Sequence, residues 1–301
     1  MKPSKRTSIK HHTAADYALF LIVPLLFYFV FFIIPNLVSF YFSLFSYTGY
    51  DKMRFVGIQN FITLLGDRKF GISFRNTIVY TVTVMIFQTV IGLLFAVFLV
   101  KQNKINSFFK AVFYLPTILS SVAVGFTWGF IFDPTIGVIN KLLFNIGLAS
   151  FRQNWLGNAH IVMFSISTVH IWQAAGTGMI LFIAGLVGIS RELYESAQIE
   201  GANAFQSFRY ITLPMLMPVI VIVIVLITMG CFKSFDYVWV LTGGGGDGSS
   251  NVIATWLYKQ GFQYNQVGYA SAMAVVLSVV VSLIALVQIN IYKDKDDGEG
   301  R

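Results

Sequence analysis

Charge is scarce in this sequence. Only 11% of its 301 residues are Asp, Glu, Lys or Arg, against about 25% in a typical soluble domain. With 56% hydrophobic residues and a mean hydropathy of +0.72, an ordinary water-soluble fold is excluded. Cysteine is scarcer still. The single Cys231 permits no intrachain disulfide and no thiolate metal cluster. There are four histidines, two of them in the N-terminal tail, and no paired carboxylates within an apolar stretch, so no catalytic set is evident. His170 has no second ligand three or four residues away and reads as a packed histidine; no metal is expected. The run Gly243 to Gly246, followed by Asp247 and Gly248, lacks the Lys-Ser or Lys-Thr pair of a phosphate-cradling loop, and reads instead as a flexible turn. The net charge of +8 would suggest nucleic acid for a soluble protein. Here the cations stand in tails and loops beside apolar stretches, so lipid headgroups are the simpler partner and no nucleic acid is expected.

What the chain does have is long apolar runs. A spanning helix needs about 20 mainly apolar residues, and 18–44, 77–100, 111–132, 161–187, 215–235 and 270–291 qualify. The expectation is an all-α integral membrane protein with six transmembrane helices. The first run could imitate a signal peptide, but it continues to residue 45 without a cleavage site, well past the ~7 to 15 residues of a signal core. An even number of spans puts both termini on one side. That side carries twelve Lys and Arg against nine on the other, and the first span follows a basic tail with Lys2, Lys5, Arg6 and Lys10, so the tails are expected in the cytoplasm of a multi-pass cell-membrane protein. The organisation expected is a basic tail at 1–17, a first span at 18–45, an extracellular loop at 46–76, a core at 77–292 and a solvated, unstructured tail at 293–301. Residues 133–160 read as a short extracellular lid, and 240–268 as a glycine-rich loop on the same side.

One segment in the core does not belong in lipid. Residues 190–214 carry three glutamates and two arginines between the fourth and fifth spans. Ser190 can cap a short helix with Glu192 and Glu195 near its start, Gly201 can end it, and Asn203 with Gln206 is an approximate capping pair for a second helix. Pro214 is expected to separate that helix from the fifth span. Leu193, Tyr194, Ala197, Phe205, Phe208 and Ile211 give both helices apolar faces, yet neither is long enough to be stable alone in water. The two-helix knob needs a partner surface.

The spacing Glu195, Ala197, Gly201, then Ile211, Leu213 and Pro214 after nine residues resembles the EAA loop of permease subunits of binding-protein-dependent ABC importers, the carbohydrate-uptake branch above all. Ser196 stands where the family has its first Ala, and Glu200 is the usual acidic residue before the Gly. The stretches Y-L-P-T-I-L-S-S-V-A, W-G-F-I-F, G-V-I-N and L-T-G-G-G are similar to the same family, the maltose and multiple-sugar permeases included, from about residue 79 to 291. The resemblance implies a coupling role for Glu195, Ala197, Glu200, Gly201, Ala202, Phe205 and Arg209. It also implies these partners: a cytoplasmic ATPase dimer holding ATP and Mg, a second permease subunit, an extracellular solute-binding protein and a carbohydrate substrate. No cofactor is expected on this chain and no enzymatic activity of its own.

Polar residues at membrane depth are costly and tend to face a cavity or a neighbouring helix. Thr117 and Ser121 in span three, Trp172, Gln173 and Thr177 in span four, and Lys233, Ser234, Asp236 and Tyr237 at the end of span five supply hydroxyls, amides and flat rings suited to a sugar. The resemblance implies sugar contacts near Thr117, Ser121, Thr177 and Ser234. Small hydroxyl residues also join membrane helices by close packing. Lys233 and Asp236, three apart, are expected on one helical face as an ion pair. The alternative to an ABC importer subunit is an ion- or proton-coupled secondary transporter; it would be expected to show a mid-membrane carboxylate and a repeated half, and neither is present in the sequence.

Overall fold

The computed structural model describes residues 14–50, 52–245 and 248–299, with side chains from 20 to 290 in those ranges. The basic residues of the N-terminal tail, Gly246 and Asp247 of the glycine run, and Arg301 lie outside them.

Span one is α1 (Ala14–Tyr28), a π-turn at Phe29–Ile33 and α2 (Ile34–Ser43). Its apolar residues, Phe20 and Phe31 among them, stay exposed, as suits a helix solvated by lipid. Of this span, α2 packs against the last helix. A two-residue hairpin, β1 (Phe45–Ser46) with β2 (Arg54–Phe55), and α3 (Gln59–Gly66) lead to α4 (Arg68–Leu99), which begins nine residues before the expected start of span two. The early start follows from Asp67. Its Oδ1 caps the backbone N–H of Lys69 at 2.8 Å, while Oδ2 accepts from Trp256 Nε1 at 3.1 Å and Tyr269 OH at 2.7 Å. Burial pushes the carboxyl up, but these donors outweigh it and hold Asp67 below the ordinary carboxylate value, so it is charged.

Span three is not the single helix expected at 111–132. It is α5 (Lys104–Ile118) and α6 (Ser121–Ile131), set at 95° to one another. Pro116 removes a helical N–H, and Leu119 and Ser120 take extended ψ values of 149° and 131°. The lid comprises α7 (Val138–Asn145) and turns held by Asn140, which donates to Pro134 O and Gln153 O and accepts from Trp155 Nε1 at 3.0 Å.

Span four, α8 (Val162–Val187), is the centre of the bundle and packs along α4, α5 and α11. Small residues allow this. A Cβ on Gly176 would lie 2.5 Å from Phe113 O, and one on Gly92 would lie 3.2 Å from the Gly178 backbone. Tyr80, Val84, Ile166, Met179, Phe182 and Leu216 form the core between these helices.

The knob is α9 (Arg191–Ile199) and α10 (Ala204–Ser207). Pro214 does not separate α10 from span five. A π-turn at Phe208–Thr212 carries the helix straight into α11 (Leu213–Phe232), with Leu213 N–H bonding Phe208 O, a widened turn that absorbs the N–H missing at Pro214. α12 (Asp236–Thr242) and α13 (Ile253–Tyr258) follow, and α14 (Val267–Glu299) closes the chain. Its helical backbone runs through most of the tail for which the sequence suggested no structure.

Candidate functional site

Two breaks in the helices face each other across α8. One is at Leu119–Ser120 in span three; the other lies between Phe232 and Asp236 at the end of span five. Helix breaks free backbone groups that lipid cannot satisfy, so side chains must do so. Gln173 serves both. Its Nε2 donates to Leu119 O at 2.7 Å, and its Oε1 accepts from Tyr237 OH at 2.9 Å. Thr117 Oγ1 donates to the backbone carbonyl of Gln173 at 2.9 Å. A second link runs from Ser121 Oγ to Asp236 Oδ2 at 2.6 Å. A third passes through His170, whose Nδ1 is 2.6 Å from Tyr80 OH and whose ring stacks on Tyr237 at 4.8 Å; Tyr80 OH also lies 3.1 Å from Ser234 Oγ.

Ser121, Lys233, Ser234, Asp236 and Tyr237, with His170, line one cavity of about 280 Å³. The Tyr237 hydroxyl is the donor in its bond to Gln173. The expected Lys233–Asp236 ion pair does not form. Span five ends between them, so they do not share a helical face, and Asp236 is engaged by Ser121. Among the described residues the ion pair is Arg191–Glu195, on the knob.

The other expected site residues fall elsewhere. Gln173 is 5% exposed with both its amide nitrogen and its amide oxygen bonded, and Thr117 supports it, so both position the cavity from behind. Thr177 lines a separate space of about 170 Å³ with Gln88; His170 and Gly230 line both it and the first. Trp172 lines a third. His170 is packed between two rings, as the sequence suggested, yet it also borders two cavities; among the described residues no cluster of His, Cys, Asp or Glu could hold a metal. Sequence reasoning missed Tyr80 and Gln88. Their recurrence with Thr77 and Thr81 along one face of an otherwise apolar helix was the available signal.

At the other end of α8 and α11, the knob forms as its caps predict. Ser190 Oγ accepts from Glu192 N–H at 3.3 Å, and Asn203 and Gln206 exchange bonds of 2.8 and 2.9 Å in a full capping box. Glu200 ends α9 and Gly201 has φ +85°. Gly201 N–H bonds Gln198 O and Ala202 N–H bonds Ala197 O, the two bonds of a Schellman turn. Glu195 pairs with Arg191, and Arg209 lies over the Tyr210 ring at 5.9 Å. Tyr194 OH, 2.9 Å from Thr212 Oγ1, ties the knob to span five. Leu193, Ile199, Phe205 and Tyr210 stay exposed.

Comparison with known proteins agrees with this architecture. The chain is 34% identical to the probable ABC transporter permease protein YurN of Bacillus subtilis over 275 residues, covering 90% of this chain and 94% of that one. It is 32% identical to the multiple sugar-binding transport system permease protein MsmF of Streptococcus mutans, covering 91% and 94%. The fold matches a chain of a bacterial ABC transporter involved in the import of the acidic polysaccharide alginate, with a TM-score of 0.80 at 24% identity over 93% of this chain and 96% of that chain. Residues 88–294 match the family described as binding-protein-dependent transport system inner membrane component, and the chain belongs to that family.

Proposed function

We propose that this chain is one permease half of an ATP-driven importer that carries a sugar or oligosaccharide inward. The observation that carries the reading is the knob: a rigid, self-capped pair of short helices joined without a break to span five, with Leu193, Ile199, Phe205 and Tyr210 exposed. Such a surface needs a partner. In this reading the partner is a cytoplasmic ATPase dimer that holds ATP and Mg and grips Glu195, Ala197, Glu200, Gly201, Ala202, Phe205 and Arg209. Both termini lie on the same, cytoplasmic side. The cavity of Ser121, Lys233, Ser234, Asp236 and Tyr237 lies towards the other face and receives substrate from an extracellular solute-binding protein, with a second permease chain completing the path. The hydroxyl-rich lining and the sugar permeases among the relatives support carbohydrate as cargo.

The test is reconstitution in liposomes with the partner permease, the ATPase and the binding protein. Uptake of labelled oligosaccharide should require ATP, the lone chain should hydrolyse none, and Phe205→Ala should strip the ATPase from the purified assembly. Uptake by the lone chain on a proton gradient, or hydrolysis by it, would overturn the reading.

A further inference from the structure

At the end of α4 and α8 away from the knob, a cavity of about 400 Å³ opens between the two helices. Arg75, Asn76 and His160 line its polar part, and Val79, Met163 and Phe164 line it one helical turn deeper. The polar part is held in place by bonds within the protein. Asn76, 9% exposed, donates to Ser249 O and Asn251 O at 2.9 Å each, which fixes the loop behind it, and His160 N–H donates to Asn158 Oδ1 at 3.0 Å. Two groups are left over. Among the described residues neither the Arg75 guanidinium nor the His160 ring has an ion pair or hydrogen bond.

Both stand at one depth. Arg75 comes two residues before the apolar run 77–100 and His160 one residue before 161–187, so the unengaged donors meet at the membrane boundary. Beneath Arg75, at helical spacing, Ile78, Val82 and Ile86 form an exposed apolar stripe on α4, and Phe164 is exposed beside it on α8. From Arg75 to Ile86 the helix rises about 16 Å, close to the depth of one leaflet, half of a hydrocarbon core about 30 Å thick. A free guanidinium heading an apolar stripe one leaflet long matches a phospholipid in both parts. The planar fork bonds a phosphate through two N–H groups, and an acyl chain covers the stripe. An acidic sugar could meet Arg75 but would leave the stripe uncovered, and this cavity shares no lining residue with that of Ser121 and Asp236.

We infer that Arg75 and His160 bind the phosphate of an anionic phospholipid in the leaflet away from the knob, with an acyl chain lying along Ile78, Val82 and Ile86. The lipid would brace α4 against α8 at the end where loop 249–251 is pinned to Asn76.

The test uses the assembled importer in phosphatidylcholine nanodiscs doped with phosphatidylglycerol, followed by native mass spectrometry of the released complex. The parent should retain phosphatidylglycerol, and Arg75→Gln should lower that retention about fivefold. His160→Gln should lower it as well, while Lys141→Gln, an exposed cation on α7 outside the cavity, should change it by less than twofold. Retention unchanged in Arg75→Gln overturns the site, and an equal loss in Lys141→Gln reduces it to general attraction between surface charge and lipid. Displacement of the lipid by excess inorganic phosphate would make the cavity a site for a free anion, and displacement by a guluronate dimer would make it a site for an acidic saccharide; either overturns the proposal. If Arg75→Gln sheds the second permease chain while lipid retention holds, the face is a subunit contact and the proposal fails.

Discussion

The knob and the cavity site are built from bonds of different reach. In the knob the ordering contacts are local: Ser190 with Glu192, Asn203 with Gln206, Ala197 with Ala202. Tyr194 to Thr212, 18 residues apart, is the long one. In the membrane the corresponding bonds join residues 54 apart at Gln173–Leu119, 64 at Tyr237–Gln173, 115 at Ser121–Asp236 and 154 at Tyr80–Ser234. Solvent explains the contrast. At the surface water satisfies whatever the caps leave, so local signals suffice; in lipid every freed group must find a protein partner, and the fold has to bring one from another span. One functional consequence follows. Ser121 and Asp236 of the cavity are bonded to each other, and Ser234 and Tyr237 to Tyr80 and Gln173, so under the proposed function a sugar hydroxyl that bonds these groups does so in exchange with bonds already made within the protein.

The largest test of this contrast is Gln173→Leu. The change preserves volume and leaves Leu119 O and Tyr237 OH without partners at the two breaks. Each buried polar group left unpaired costs about 1 to 3 kcal/mol. Thermal unfolding in detergent should therefore start well below the unmodified chain, with the 95° bend between α5 and α6 the first element to lose protection in hydrogen exchange. A variant as stable as the parent would mean that the two breaks are held by something other than this amide.

A smaller loss of stability is expected at Gly201. A Cβ there meets nothing within 4 Å, so the cost is in the backbone alone, at φ +85°. A left-handed conformation costs a residue other than glycine about 1 to 2 kcal/mol. Gly201→Val should fray the Schellman turn and release the ATPase while the spans keep their melting temperature. Gly201→Asn, which tolerates that region, should restore most of the coupling. Equal loss in Asn and Val would point to contact with the partner rather than to φ. The two experiments together separate a site that fails globally from one that fails locally.

The same difference in reach governs what the sequence discloses. The break expected at Pro214 is not there, whereas the knob's caps were legible, with the Asn203–Gln206 box and Gly201 at positive φ where they were predicted. So were six apolar stretches, since span length is a local property, although Asp67 starts span two early. The right-angled break at Leu119 was not, because Pro116 is tolerated in many straight membrane helices and what stabilises this bend is Gln173, far along the chain. For the same reason the Lys233–Asp236 pair was misread. Spacing of three implies a shared face only while the helix continues, and it ends at Phe232.

The smallest effect is expected at Arg191. It pairs with Glu195 at 3.1 Å, four residues on, but the two side chains are 90% and 60% exposed. Pairs of this kind contribute about 0.3 to 0.5 kcal/mol, and this one has the weaker order, with the cation N-terminal to the anion and beside the positive end of the helix dipole. Arg191→Ala should then change stability by less than about 0.5 kcal/mol, with no dependence on salt beyond that of the parent, whereas Ser190→Ala, which removes the cap itself, should cost about 1 kcal/mol. Melting curves of both variants at low and high ionic strength measure this directly. A loss at Arg191 larger than that at Ser190, screened by salt, would mean that the guanidinium is held by more than Glu195. The knob would then share the long-range wiring of the membrane site, and the contrast between the two regions would fail at its most exposed point.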